Sequence, residues 1–121
     1  MGIFMNYIKL KKLNKIIKTN LSDIEIPKCG IRETEYLFIK KGIDEAIDIA
    51  LRPIIKSLLL DEVVTENYIN NSCNALWNHV SNNVIIYLFL NNRISETQKK
   101  ELYDYIDLIK DVLSKSFKEI L

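Results

Sequence analysis

Apolar residues recur every three or four positions over most of this chain, which is the spacing of amphipathic α-helices. This pattern predicts a first helix over residues 6–19 and a second, longer helical segment over residues 33–60. A third segment covers residues 65–90, and a last helix follows Ser95. With only 3 Gly and 2 Pro, the chain has few of the turn residues that an all-β fold requires. We therefore predict an all-α fold, a single-domain bundle of five to six helices over residues 1–121.

Several residues predict where these helices begin and break. Thr65 is a suitable N-cap, and Ser95 with Gln98 three positions later has the spacing of a capping box. Pro53 lacks the N–H that an inner helical turn needs, so we expect a kink or a new helix start near it. Residues 81–83, Ser-Asn-Asn, compete with the helix for backbone hydrogen bonds, and we expect a break there.

The segment of residues 65–90 holds the only Trp and the only His, and we expect the other helices to be organised around it. Residues 84–90 are apolar on every side of a helix, which predicts a buried helical segment. We also expect Leu37 and Phe38 to face the core. Six residues of the segment share one predicted core face: Ile69, Cys73, Leu76, Trp77, Val80 and Val84. Five asparagines share the opposite face: Asn67, Asn71, Asn74, Asn78 and Asn82.

Composition indicates a globular protein without an evident charged ligand. Hydrophobic residues make up 48% of the chain and charged residues 27%, and the net charge of +1 provides no general attraction for nucleic acid or for a membrane surface. The longest apolar run is too short to span a membrane. The two cysteines, Cys29 and Cys73, lie far apart and form no CxxC motif, so we expect free thiols and a cytoplasmic protein.

The sequence contains no recognisable catalytic constellation. Its single imidazole, His79, has no carboxylate at helical spacing, and one His with two scattered Cys does not supply the roughly four ligands of a zinc site. No Gly-rich phosphate loop is present in the sequence. We therefore predict no enzymatic activity, no cofactor and no metal site.

Residues 76–113 form a predicted helical hairpin whose short turn is Asn92-Arg93-Ile94-Ser95. This turn, with Leu76, Tyr87, Gln98, Leu102 and Ile106, resembles the late hairpin of small all-helical bacterial toxin-immunity proteins, of the contact-dependent inhibition or bacteriocin immunity type. The resemblance covers about a third of the chain. It implies an inhibitor that binds and neutralises a cognate protein toxin stoichiometrically in the cytoplasm, without catalysis.

Charge distribution indicates which toxin such a protein would bind. Residues 31–66 carry eight acids against five bases, whereas residues 1–20 carry five Lys and no acid. An acidic surface speeds association with a basic partner, so we predict a basic nuclease domain as the toxin, and no direct contact with nucleic acid. The predicted partner-binding residues surround the start of the Asn-lined helix: Asp44, Glu45, Asp48, Asp61, Glu62, Glu66, Asn67, Asn71, Asn74 and Asn78.

Two other functions remain open at this point. Residues 74–80 resemble the start of the groove helix in viral Bcl-2-like proteins, which implies a bundle that binds an amphipathic peptide. The lysine-rich first helix is also typical of modules that bind nucleic acid or a membrane surface. The asparagine stripe has two explanations, a contact surface or the codon bias of an AT-rich gene.

Overall fold

Four helices make up the part of the chain that the structure describes. The computed structural model describes the backbone of residues 3–28 and 30–121, and side chains from Met5 onward within that range. The all-α prediction is confirmed, but the count of five to six helices is wrong for these residues. The helices are α1 (Ile3–Ser22), α2 (Glu33–Leu59), α3 (66–90) and α4 (Glu96–Ile120); α3 is α-helical over Glu66–Val80, π-helical over Ser81–Ile85 and α-helical again over Ile86–Leu90.

No new helix begins at Pro53 or at residues 81–83, because packing and a π-helical turn keep both long helices continuous. α2 continues through Pro53, which has Ala50 and Ile54, both fully buried, close by in sequence. Burial on both sides of the proline stabilises the helix against the lost backbone hydrogen bond. In α3 the residues 81–83 belong to the π-helical turn. Such a turn inserts one residue without ending the helix, so the polar residues do not interrupt it.

Each helix packs mainly against two others. α1 contacts α2 and α4, and α3 contacts the same two helices, so α1 and α3 lie diagonally across the bundle. The core contains side chains from all four helices, including Leu13, Ile54, Ile85 and Phe117, none of which is exposed. The segment of residues 65–90 packs against both α2 and α4, and its contact with α2 is the most extensive between any two helices of the described bundle. None of the described helices has the length and apolarity needed to cross a membrane.

α1 docks through its apolar stripe and leaves its lysines in solvent. Leu13 and Ile17 are buried, whereas Lys11, Lys12, Lys15 and Lys18 are exposed. At the start of the helix the buried Asn6 amide donates to the Leu58 carbonyl at 2.9 Å and to Asp61 Oδ1 at 2.7 Å. These two bonds tie α1 to the end of α2.

The predicted helix starts are confirmed. The Thr65 hydroxyl accepts a hydrogen bond from the Tyr68 N–H at 3.1 Å, and Ser95 with Gln98 forms both bonds of a capping box. α2 and α3 also end alike, because Asp61 and Asn92 both adopt a φ of 56°. The N–H of the next residue then bonds a carbonyl five positions back, at 2.8 Å in both turns. This is the Schellman geometry, which satisfies the last carbonyls of a helix.

The predicted core face of the third helix is buried except at Trp77. Cys73 is a free thiol with 1% exposure, and burial raises its pKa to about 11, so it stays protonated at neutral pH. Cys29 lies outside the described residues. Trp77 is half-buried between α3 and α4, where its indole N–H donates to Asp107 Oδ1 at 2.8 Å.

Several residues assigned to the core by their apolar character are instead exposed. Phe38 and Leu37 on α2 are 39% and 55% exposed, and within residues 84–90 only Val84, Ile85 and Leu88 are buried. A helix in a four-helix bundle buries one face, so a segment that is apolar all round must leave part of its surface in solvent. The exposed members of the segment are Ile86 at 36%, Tyr87 at 53% and Leu90 at 72%.

Candidate protein-binding groove

Two exposed aromatic residues, Phe38 of α2 and Tyr87 of α3, meet where these helices lie side by side. The rings of Phe38 and Tyr87 contact each other across the two helices, with centroids 5.6 Å apart and planes tilted by 34°. A cleft opens on each side of Phe38. We call the two clefts and the rings between them the aromatic groove. Ile86 and Leu90 extend this apolar surface onto the outer face of α3, because residues four apart are neighbours on a helix.

The first cleft lies between the start of α2 and the end of α3 and has a volume of about 180 Å³. Glu35, in the first turn of α2, is buried beside it, with 4% of its side chain exposed. Arg93 reaches it from the turn after α3, with Nη1 3.2 Å from Glu35 Oε1. The other carboxylate oxygen, Oε2, is buried and has no hydrogen-bond partner. The lining residues are Thr34, Glu35, Phe38, Tyr87, Leu88, Asn91 and Arg93.

The second cleft, of about 210 Å³, lies on the other side of Phe38 and contains the only histidine. His79 Nε2 is 3.7 Å from Glu45 Oε2, and the Asn83 amide lies 3.1 Å from His79 Nδ1. If Asn83 donates to Nδ1, the proton of neutral His79 sits on Nε2 and faces the Glu45 carboxylate. A polar cluster from both helices therefore borders the aromatic rings, and it contains Glu45, one of the predicted binding residues.

The π-helical turn forms the floor of the second cleft. Its Val84 packs directly onto Gly42 of α2, and a Cβ at residue 42 would overlap Val84 Cγ2. The turn is anchored on its other side by Ser81, whose hydroxyl lies 2.8 Å from the Tyr103 hydroxyl of α4. Single π-helical turns occur frequently at functional sites in α-helices. Here the turn brings α2 and α3 into close contact directly beneath the groove.

The structure does not gather the six predicted acids around one site. All six are exposed, but Asp44, Glu45 and Asp48 lie midway along α2, whereas the other three lie in or after the turn that follows α2. At a rise of about 1.5 Å per residue, the two groups are on the order of 20 Å apart along the bundle. The separated acids are Asp61, Glu62 and Glu66.

The three acids near the α2–α3 turn have contacts with α1 and α4. Asp61 accepts from Asn6, and Glu66 pairs with Lys118 of α4 at 3.3 Å. Glu62 borders a cleft shared with Asn6 and Lys9 of α1. These residues therefore belong to the opposite end of the bundle from the first cleft.

The three acids of α2 also differ in their surroundings. Glu45 borders the aromatic groove, and Asp48 pairs with Arg52 at 2.6 Å on the exposed face. Asp44 instead lines a separate cleft of about 310 Å³ beneath the connector between α1 and α2. In that cleft burial, followed by the proximity of Tyr36 and Asp44, raises the pKa of Tyr105 to about 12.

The predicted amides do share one surface. Asn67, Asn71, Asn74 and Asn78 are all exposed on the outer face of α3, opposite its buried residues. The same face continues past Asn82 to the apolar Ile86 and Leu90, by helical spacing. The outer face of α3 thus changes from amide to apolar side chains along its length.

Sequence reasoning missed Glu35, Phe38, Tyr87 and Arg93 as site residues. Helical spacing predicts Phe38 in the core, and the all-round apolar run of residues 84–90 predicts that Tyr87 is buried. The signal that could have identified them is the all-round apolar character of residues 84–90, which exceeds what one helix of a bundle can bury. No sequence pattern predicts that Glu35 is buried, because its burial depends on the turn that places Arg93 beside it.

Comparisons of the chain with protein-family models, curated proteins and solved structures found no match. Among the described residues, no group of three or more His, Cys, Asp or Glu side chains is arranged to hold a metal ion. What the groove offers is aromatic and aliphatic surface, bordered by two carboxylates, an imidazole and amides.

Proposed function

We propose that this protein is an immunity-type inhibitor, which binds a cognate protein toxin stoichiometrically in the cytoplasm and does so through the aromatic groove. The observation that supports the proposal is the cluster of large apolar side chains on the exposed surface of α2 and α3. Contiguous apolar surface on a soluble domain is typical of sites where another protein binds. Such a surface gains free energy when a partner removes it from water.

The groove has the composition of a protein interface. Aromatic residues are enriched at the centre of such interfaces, and polar residues form the rim. Phe38 and Tyr87 occupy the centre here, while Lys41, Glu45 and Arg93 lie at the edge. On this basis we expect the two rings to contribute most of the binding free energy.

The choice of a basic toxin, such as a nuclease domain, rests on the acids of α2. Glu45 borders the groove and Asp48 is exposed on the same helix, and both attract a cationic partner. Lys41 and Arg93 at the groove edge and Arg52 beside Asp48 offset part of this attraction. The lysines of α1 do not oppose this attraction strongly, because α1 lies diagonally opposite α3. Physiological salt screens exposed charges over roughly 8 Å, which further weakens the effect of these lysines on the groove.

Survival of cells that express the toxin tests the proposal. The chain is co-expressed with the product of the neighbouring gene, and the complex is checked for 1:1 stoichiometry by calorimetry. Phe38→Asp with Tyr87→Asp should abolish protection. Leu108→Asp is the matched control, since Leu108 is a comparably exposed apolar residue, at 49%, on α4. Equal protection by the double variant and the control would refute the groove as the binding surface.

The exposed apolar surface between two helices also favours the alternative of a Bcl-2-like protein that binds an amphipathic peptide. In that mode a single helix of the partner inserts its apolar face into the groove. The two functions differ in what is sufficient for binding. An isolated helical segment of the partner should bind with nearly full affinity in the peptide mode, whereas an immunity protein requires the folded toxin domain.

A further inference from the structure

The first cleft contains a buried carboxylate whose hydrogen bonding is incomplete. Glu35 is 4% exposed at its side chain, and only Oε1 has a partner, the Arg93 guanidinium at 3.2 Å. Oε2 is buried with no donor in contact. A buried charged group without a full set of hydrogen bonds is costly, so such a group in a native structure calls for an explanation.

The fold explains why the carboxylate is tolerated but not why Oε2 is unpaired. Glu35 lies in the first turn of α2, where the helix dipole stabilises a negative charge. Its other support, Arg93, is 57% exposed at the side chain and binds the opposite oxygen. A carboxylate oxygen only accepts hydrogen bonds, so the missing partner must be a donor.

The two aromatic walls of the cleft favour a cationic donor, and Glu35 offsets the positive charge of Arg93 in the third wall. Phe38 and Tyr87 line the same cleft as Glu35, and the faces of aromatic rings attract ammonium and guanidinium groups. The chain itself uses this interaction nearby, where Lys99 Nζ lies 4.1 Å from the centre of the Phe89 ring. A hydrogen bond from a cation to a carboxylate is also roughly twice as strong as one between neutral groups.

We propose that this cleft receives one lysine or arginine side chain of the protein partner. A rotation of the Glu35 carboxylate toward the cleft exposes Oε2 to the cationic head, which donates to it, and the aliphatic stem packs against Phe38 and Tyr87. A volume of about 180 Å³ accommodates one such side chain and little more. The identity of the partner as a basic protein rests on the proposed function, but the preference of the cleft for a cation does not.

A pair of short peptides tests the preference directly. The probes are acetyl-Leu-Arg-Leu-amide and the same peptide with citrulline, which replaces the guanidinium by a neutral group of the same shape. Each is titrated into the labelled protein and followed by NMR. The arginine peptide should shift the backbone signals of residues 34–38 and 87–93 and bind about ten-fold more tightly than the citrulline peptide. Equal binding, or shifts located elsewhere, would overturn the proposal.

Variants of the cleft test whether Glu35 causes the preference for the arginine peptide over the citrulline peptide. Glu35→Gln replaces Oε2 or Oε1 by an amide donor and should remove the discrimination between the two peptides. Glu33→Gln, in the same turn but exposed, is the matched control and should retain it. Tyr87→Leu keeps apolar surface but removes the ring, and should weaken the arginine peptide several-fold even if Glu35→Gln fails to fold. Retained discrimination in folded Glu35→Gln would contradict the assignment, and so would an unchanged affinity of Tyr87→Leu for the arginine peptide.

The peptide result and the survival result are independent. Selective arginine binding without protection of cells would keep the cation cleft and refute the immunity function. Protection by the groove without arginine selectivity would keep the function and refute the cation cleft.

Discussion

α4 and the aromatic groove use apolar residues in opposite ways. α4 buries its apolar stripe and exposes charged residues, with Leu108 as its one large apolar side chain that is more than a third exposed in the part of the helix described. The segment of residues 86–90, in contrast, exposes Ile86, Tyr87 and Leu90 next to Phe38 of α2. The two regions belong to the same bundle, so the difference is not one of fold. It shows that apolar character beyond one helix face stays exposed in this bundle, and this exposed surface is where we propose that a partner binds.

The largest expected effect is on the free energy of unfolding. It distinguishes buried apolar residues, which stabilise the fold, from the exposed apolar residues that we propose bind a partner. Phe117 of α4 is fully buried, and Phe117→Ala should lower the free energy of unfolding by about 3–5 kcal/mol, through lost burial and the cavity it leaves. Tyr87→Ala removes a side chain that is 53% exposed and should cost less than about 1 kcal/mol. Urea denaturation measures both. Similar losses for the two variants would contradict the distinction between the regions.

The second largest effect on stability is expected at the close contact between Gly42 and Val84 beneath the groove. A Cβ at residue 42 overlaps Val84, whose branched side chain has little freedom to move. Gly42→Ala should therefore destabilise the protein by about 1–2 kcal/mol, although alanine is the better helix former. In a Val84→Ala background the same change should become neutral or stabilising by up to about 1 kcal/mol. Thermal denaturation of the four proteins checks this, and an unchanged cost in the second background would refute the contact.

Local signals in the sequence were sufficient for α4 but not for the number of helices. The capping box at Ser95 and the helical period that follows it agree with each other, and both are satisfied in the structure. The expected breaks at Pro53 and at residues 81–83 depend on local preferences that tertiary packing overrides. A π-helical turn has no simple sequence pattern, so the continuity of α3 could not be predicted from its Ser-Asn-Asn segment.

The candidate site was predictable only in part. Exposure of the asparagine face and of Glu45 follows from helical periodicity. The position of Glu45 beside His79 does not, since it depends on how α2 and α3 are aligned. The separation of Asp61 from Glu45, in contrast, follows from the length of α2 alone, at a rise of about 1.5 Å per residue. Periodicity assigns residues to a face of one helix, whereas a site requires the relative position of two.

A moderate effect is expected at the start of α4, where the structure follows from local sequence. The Ser95 hydroxyl accepts from the Gln98 N–H at 3.1 Å, and Ser95→Ala removes this bond. The variant should lose about 1 kcal/mol of unfolding free energy. Arg93 of the first cleft lies two residues before Ser95, but its backbone N–H is held by the Leu88 carbonyl at 2.8 Å and not by the cap, so binding of the arginine peptide should be unchanged. A loss of peptide binding together with stability would show that the groove depends on α4 more than its contacts indicate.

Charge reversal of the exposed acids should have the smallest effect on stability. It is also the most direct test of which surface binds the toxin. Glu45→Lys with Asp48→Lys reverses charge beside the groove, and Glu62→Lys with Glu66→Lys reverses it at the α2–α3 turn. Both pairs are exposed, so each should change the free energy of unfolding by less than about 1 kcal/mol. If a basic toxin binds the groove, the first pair should slow association strongly, and the second should slow it little. Stopped-flow association rates at several salt concentrations measure the difference. A larger effect of the second pair would move the binding surface to the turn, where Asp61, Glu62 and the first asparagines of α3 lie.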